Sequence, residues 1–503
     1  MNSKKTRGFL ATAGALLTAA TLALSGASAA SAATQPAPTA SDVVITKLAQ
    51  PVAPGVAADG TQQTVTGTPI SGVTFSYALV PDTAAGGAHD IGTNSGQQWA
   101  ATQTAEMQTA AITGAFPVTD ADGVTSITAL PRGLYVVTET TTPAGVTPAA
   151  PFLLAVPLTD PVNRDAWLST IYVYPKNAKI GATKKVDTES LVVGGDVTWT
   201  ISSDIPRLSN AAGTAFVAPG AFEIRDTLTD AELVLSTTTA TPVVVKAGST
   251  TLTKGTDYTV TPVADSGATT YTIAFTSTGL TALATAVNAD PTAEVTVALT
   301  TTVKKAAVIG NVAQVFPDQQ SITNNKPLET NRVETKYGSY QINKTSTDDN
   351  VTDLSGAQFR VYATKSDALA GEDALAPKDN AGVTHDIWTT DTAGHVTIDG
   401  LRYSGWAAGT TVAAGHPLYQ TYWLVEVKAL DGHQLLAEPV SFVIDAASAT
   451  QTTQTIVNQA TTGAFVLPLT GGSGVALLTG AGIVLLAAVL LVARLRRRAL
   501  AAE

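Results

Sequence analysis

Three times along this chain of 503 residues, an alternating stretch places a lysine on its apolar parity. Val43-x-Ile45-x-Lys47 opens the first, Ile180-x-Ala182-x-Lys184-x-Val186 the second and Tyr340-x-Ile342-x-Lys344 the third. Side chains at i, i+2 and i+4 of a strand share a face, so each lysine belongs to the face turned toward a core. A lysine there either snorkels out at the end of a sheet or tends to lose its proton. Snorkelling explains one such residue simply; a threefold recurrence favours a shared chemical role. A neutral buried amine is a nucleophile.

The rest of the chain supplies the matching architecture. Thr, Val, Ala and Gly dominate, and helix-period stretches are scarce. Val43-Val44-Ile45-Thr46, Val197-Thr198-Trp199-Thr200-Ile201 and Ser441-Phe442-Val443-Ile444 read as half-buried strands. Many such strands between Gly, Pro, Asp and Asn turns predict an all-β chain of sandwich domains. There is no cysteine. An exported multidomain β protein without disulfides must rely on its cores or on another covalent link.

Each stretch also ends on an asparagine of apolar parity: Ile171-x-Val173-x-Pro175-x-Asn177, Ile309-x-Asn311-x-Ala313-x-Val315 and Ile456-x-Asn458-x-Ala460. A first-strand lysine beside a last-strand asparagine can form an amide with loss of ammonia, provided a buried carboxylic acid shuttles protons and polarises the amide. Tyr135-x-Val137-x-Glu139, Phe222-x-Ile224-x-Asp226-x-Leu228 and Tyr422-x-Leu424-x-Glu426 offer one acid to each stretch.

Both termini carry processing signals. Lys4, Lys5 and Arg7, the apolar Phe9 to Leu24 and small-residue sites at Ala27-Ser28-Ala29 and Ala30-Ser31-Ala32 form a signal peptide over 1–32, with the mature start near Ala30 or Ala33. At the other end stand Leu467-Pro468-Leu469-Thr470-Gly471, the apolar run Val475 to Ala493 and Arg494-Leu495-Arg496-Arg497-Arg498. A helix over that run would be roughly 28 Å long, enough to span a bilayer's hydrocarbon core, with the arginines on the cytoplasmic side. LPLTG resembles the sortase recognition pentapeptide of Gram-positive surface proteins, which is cut between Thr and Gly. Removing 1–32 and 471–503 deletes seven basic residues and one acidic residue, taking the formal charge from −11 to −17. Such a surface does not attract nucleic acid through its overall field.

Further strings resemble one family. Tyr135-Val136-Val137-Thr138-Glu139-Thr140-Thr141-Thr142-Pro143-Ala144-Gly145 and Tyr422-Trp423-Leu424-Val425-Glu426 resemble the E-box of sortase-assembled pilins. Leu354-Ser355-Gly356-Ala357-Gln358-Phe359 resembles the strand after the reactive lysine in collagen-adhesin B-type domains, and Trp167 to Asn177, ending Val173-Tyr174-Pro175-Lys176-Asn177, resembles the pilin motif. The second E-box departs from the pattern, continuing Val427-Lys428-Ala429-Leu430-Asp431-Gly432. The layout is similar to that of actinobacterial shaft pilins and implies three tandem Ig-like, collagen-adhesin-type sandwiches with a C-terminal transmembrane sorting helix.

The resemblance implies that a pilin-specific sortase cuts after Thr470 and that Lys176 of the next subunit attacks the thioester. Strand parity independently puts Tyr172, Tyr174 and Lys176 on one face, and Ile171, Val173 and Asn177 on the other. The resemblance also implies internal crosslinks: Lys184–Asn311 with Asp226, Lys344–Asn458 with Glu426, and Lys47–Asn177 with Glu139, the last with the least support. Lys185 beside Lys184 and Asn331 in place of Asn311 remain open alternatives. Joining first to last strand would carry pulling force past the sheet and constrain unfolding much as a disulfide does.

The expected domains are 34–178, 179–336 and 337–462, followed by a flexible lead to the sorting cut over 463–474. Ordinary enzyme signals are poor. His89, His385, His395, His416 and His433 are scattered, without a metal-ligand spacing. No cofactor is expected. Asp367, Glu372, Asp373, Asp379 and Asp386 make an oxygen-rich connection of the type that can bind Ca²⁺, and Asp348-Asp349-Asn350 a lesser one; the spacing is not that of an EF-hand, and solvated loop acids are the simpler reading. The expected product is a secreted, wall-anchored fimbrial subunit whose precursor briefly spans the membrane. Its partners would be identical pilins, pilin-specific and housekeeping sortases, minor pilins, peptidoglycan and an unspecified host ligand. A monomeric wall-anchored adhesin and a wall-anchored enzyme are the alternatives.

Overall fold

The computed structural model describes residues 36–461, apart from 51–57, 66, 109, 210–214, 380 and 449–451, together with residue 494. The expected signal peptide, the LPLTG pentapeptide and the expected span Val475 to Ala493 lie outside the described residues. Among the described residues, no helix is long and apolar enough to cross a membrane.

The chain forms two compact units. Among the described residues, the first gathers those up to Ser190, Gly194–Lys336 and Trp406–Thr411; the second holds Leu191–Val193, Tyr337–Gly405 and those from Val412 on. The expected borders at 178/179 and 336/337 assign Trp406–Thr411 and Leu191–Val193 differently, and the first two expected domains share one unit.

In the N-terminal part of the first unit, Ala40–Thr46 lies between antiparallel Val124–Pro131 and parallel Thr170–Val173. A second sheet runs Gly114–Ala115, Thr74–Leu79, Gly133–Thr141, Phe152–Val156. Val43, Ile45 and Ile171 meet Phe75, Val137 and Leu154 in one core, which makes the pair a sandwich. Lys176–Lys179 then pairs parallel with Leu48–Ala49 and antiparallel with Val146–Thr147.

Farther along this unit, a six-stranded sheet contains Ala182–Glu189, Asp196–Asp204 and Glu294–Val303, and a five-stranded sheet is centred on Glu223–Thr229. Asp196–Asp204 buries Val197, Trp199, Ile201 and Ser203 in strict alternation, the mark of a strand with one face to the core. Val308–Asn311 pairs with the start of Val333–Ser346. One element was not legible as a helix, Ser277–Ala289. Gly279, Leu283 and Val287 are its buried residues, four apart, and the Thr276 side chain accepts from Gly279 N. Its small and threonine residues give little helical contrast.

In the second unit, the later part of Val333–Ser346 sits between antiparallel His395–Arg402 and parallel Thr452–Asn458. The other sheet runs Trp388–Thr389, Gln358–Tyr362, Tyr422–Lys428, Val440–Phe442. Tyr340, Ile342 and Ile456 share a core with Phe359, Tyr422 and Leu424. All-β sandwiches with a few short helices describe both units.

Candidate functional site

Alternation brings each lysine, acid and asparagine to one buried place. In the first set, Lys47, Glu139 and Asn177 are 0, 6 and 1% exposed. Lys47 Nζ donates to Glu139 Oε1, and Asn177 Nδ2 donates to Glu139 Oε2 at 2.7 Å. Ala149 N reaches that same oxygen at 3.2 Å. Burial beside Phe75 pushes the Lys47 ammonium down to about 8, against the pull of Glu139.

In the second set, Lys184 Nζ donates to Asp226 Oδ2 at 2.6 Å, and Asn311 Nδ2 lies 3.5 Å from the same oxygen. Asp226 is fully buried, and burial lowers the Lys184 amine below its ordinary value although Asp226 opposes this. The neighbouring candidates serve other ends. The Lys185 side chain is exposed and pairs with Asp187 at 3.1 Å. Asn331 holds the backbone of Lys184, accepting from its N–H and donating to its carbonyl, both at 2.9 Å.

The third set differs in its amine. Lys344 is fully buried, yet Nζ donates to the carbonyls of Thr345 at 2.7 Å and Ile456 at 3.1 Å. A neutral amine has two N–H groups, so two carbonyl acceptors leave its lone pair unengaged. Burial pushes this amine down to about 8, with Glu426 acting against it. Asn458 Nδ2 donates to Glu426 Oε2 at 2.7 Å, and Leu436 N donates there at 3.0 Å.

All three sets share an electrostatic oddity. The carbonyl oxygens of Asn177, Asn311 and Asn458 are buried without a hydrogen-bond partner, as are Asp226 Oδ1 and Glu426 Oε1. A buried acceptor lacking a donor costs about 1–3 kcal/mol. A proton carried by the carboxyl would provide that donor, and donating it to the asparagine carbonyl would make the amide carbon more electrophilic.

Sequence parity located the three triads but not their backbone supports. Ala149 N and Leu436 N each lie ten residues beyond the glutamate they reach, a shared spacing that was available in the sequence. The clamp made by Asn331 had no such signal.

Lys176 is half-buried and begins a short strand, opposite Leu48 in parallel register. Tyr174 and Pro175 interrupt the preceding strand, and the Tyr174 hydroxyl accepts from Gln63 N at 2.8 Å. Asn177, next in sequence, is buried, so the two neighbours differ in accessibility in the sense that parity predicts. Thr470 lies outside the described residues. Among the described residues, no group of three or more acids or histidines could hold a metal ion. Asp379 instead pairs with His385 at 2.9 Å, Asp386 with Arg360 at 3.4 Å, and Asp367 bonds the Thr364 hydroxyl at 2.7 Å.

Comparison with known proteins places the chain in a family. Residues 38–178 match the model for the Gram-positive pilin subunit D1, N-terminal domain, and residues 338–459 match the prealbumin-like fold domain. The chain is 32% identical over 417 residues to fimbrial subunit type 1 of Actinomyces viscosus, covering 76% of each chain. It is 30% identical over 413 residues to fimbrial subunit type 2 of Actinomyces naeslundii, covering 76% of this chain and 73% of that one. The full-length major pilin SpaD of Corynebacterium diphtheriae shares the fold, with a TM-score of 0.60 at 23% identity over 84% of this chain and 97% of that one. With its buried lysine–acid–asparagine sets and these relatives, the chain belongs to the fimbrial subunits, the pilins of Gram-positive bacteria.

Proposed function

We propose that this fimbrial subunit forms the shaft of a cell-surface pilus by two kinds of amide bond. It is a structural subunit rather than an enzyme, and its partners in the shaft are further copies of itself. Between subunits, a sortase cleaves after Thr470 and transfers its carboxyl to Lys176 of another copy. The precursor is held meanwhile by the apolar run Val475 to Ala493, and a housekeeping sortase attaches the finished shaft to peptidoglycan. Minor pilins and a host ligand complete the partner set. The exported part is organised as modules over 34–178, 179–336 and 337–462, after removal of the signal peptide over 1–32.

Within each module, the neutral lysine attacks Cγ of its asparagine. The Nζ–Cγ bond forms, the Cγ–Nδ2 bond breaks, and the acid passes the proton lost by the amine to the departing nitrogen, which leaves as ammonia. The pairs are Lys184–Asn311 with Asp226, Lys344–Asn458 with Glu426, and Lys47–Asn177 with Glu139. The observation that carries this reading is the threefold burial of an amine, an acid and an amide, with the acid bonded to both amine and amide in the first two sets and to the amide in the third.

The test is an SDS-resistant ladder in cell-wall extracts. Wild type should give a ladder and Lys176→Ala a single band. A ladder that persists in Lys176→Ala rejects the joint, and a single wall-linked band in wild type indicates a monomeric adhesin.

A further inference from the structure

The loops that follow Glu139 and Glu426 occupy equivalent positions. Gly145 and Gly432, each six residues past its glutamate, both take positive φ, 72° and 75°. Val146 and His433, the next residues, pair with Lys179 and Ala460, each two residues past the asparagine of its set. Ala149 and Leu436 then return an N–H to the carboxylate. Each loop therefore closes over its triad and tethers the acid to the asparagine strand.

The two loops differ in what stiffens them. Pro143 and Pro148 flank the first turn, where Leu430 and Leu435 stand in the second, and no proline occurs between Val427 and Leu436. Proline fixes φ and lowers the entropy of a loop before it closes. The second loop has a side-chain fastening instead. His433 Nε2 lies 2.6 Å from Ser346 Oγ, and its Nδ1 lies 2.9 Å from the Asp431 carbonyl. That carbonyl can only accept, so in the neutral ring Nδ1 carries the hydrogen and Nε2 accepts from the serine. Ser346 stands in register with Asn458 and lies two residues beyond Lys344 on the same strand. Gln434 N donates to Gln459 O at 2.9 Å, on the other side of Asn458.

We infer that His433, through Ser346, is a positioning residue for the Lys344–Asn458 crosslink, replacing with a side-chain hydrogen bond the prolines that the second E-box lacks. This rests on the crosslink itself. His433 touches none of the reacting groups; it holds the loop that brings Leu436 N to Glu426 and keeps the lysine strand against the asparagine strand.

The experiment follows bond formation after cell-free synthesis of the full chain, with samples quenched at intervals and digested, and the crosslinked peptides quantified by mass. Tryptophan fluorescence records folding separately. His433→Ala should slow the Lys344–Asn458 bond about fivefold, the effect of one lost hydrogen bond, while the Lys184 bond keeps its wild-type pace. His433→Gln, whose carbonyl reaches a similar point, should restore most of the rate. Ser346→Ala should slow it equally, and the double variant should be no slower than either single one. A wild-type rate in His433→Ala, or single effects that multiply in the double variant, overturns the positioning role alone. If His433→Ala does not fold, the Gln and Ser346→Ala variants decide by the same criteria. If wild type yields no Lys344–Asn458 peptide, the crosslink reading falls and the positioning role with it.

Discussion

Asn458 donates its amide N–H to Glu426 at 2.7 Å, while its own carbonyl oxygen is buried without a hydrogen-bond partner. An unsatisfied buried carbonyl costs stability, and under the proposed crosslinking the nitrogen that Glu426 holds would be the one to leave. Asn177 and Asn311 repeat the arrangement.

The mass of the exported chain should therefore be lower than its sequence mass by one ammonia for each bond formed. Asp226→Ala and Glu426→Ala should each restore one ammonia, and the double variant two. High-resolution intact-mass measurement reads this directly. A wild-type mass equal to the sequence mass rejects the bonds.

Crosslink loss should also lower stability. Closing a loop of roughly a hundred residues contributes about 5 kcal/mol in the chain-entropy account. Asn458→Ala should accordingly lower the melting temperature of the second unit, as seen by calorimetry. An unchanged melting temperature would mean that no covalent closure had been lost.

Bond formation should depend on pH through the amine. Lys344 titrates at about 8 when folded against 10.5 for an ordinary lysine, so its rate should rise up to about pH 8 and then level. The linked stability effect has the opposite sign to that of an ion pair. In Asn458→Ala, which cannot crosslink, the unfolded chain binds more protons between pH 8 and 10.5, so stability should rise with pH across that window. Below pH 8 the cost of the buried charge is present in full. Urea titrations between pH 7 and 10.5 test the sign.

Two substitutions separate chemistry from support in the second set. Lys184→Ala should abolish its crosslink, whereas Lys185→Ala, at an exposed side chain paired with Asp187, should leave it intact. Asn331→Ala should preserve the bond but destabilise the fold by about 1–3 kcal/mol, because it removes both partners of the Lys184 backbone. Peptide mapping and denaturant melts distinguish the outcomes.

Much of this site was legible because a strand has a period of two. Val43, Ile45 and Lys47 share one buried face, and Tyr422, Leu424 and Glu426 another, so parity alone sorted buried residues from surface ones. It favoured Lys184 over Lys185 for the same reason. The amine direction in the third set was not legible, since Lys344 turns to the carbonyls of Thr345 and Ile456 and carbonyl positions depend on sheet register. Helix Ser277–Ala289 escaped because its buried stripe consists of a glycine, a leucine and a valine among small residues. The role of His433 escaped because its partner lies 87 positions away in the chain.

Lys176 and Asn177 are the first residues of the strand Lys176–Lys179, and nearly all of the N-terminal sandwich precedes them. A joint at Lys176 would make tension enter the backbone there and leave toward Ile180, so the N-terminal sandwich would lie outside the line of force rather than form a link in it. The stability of the N-terminal sandwich would then not limit the strength of the filament. Its Lys47–Asn177 bond would act as a mooring that keeps this side-mounted module in place under flow, and the other two bonds would bear the strain.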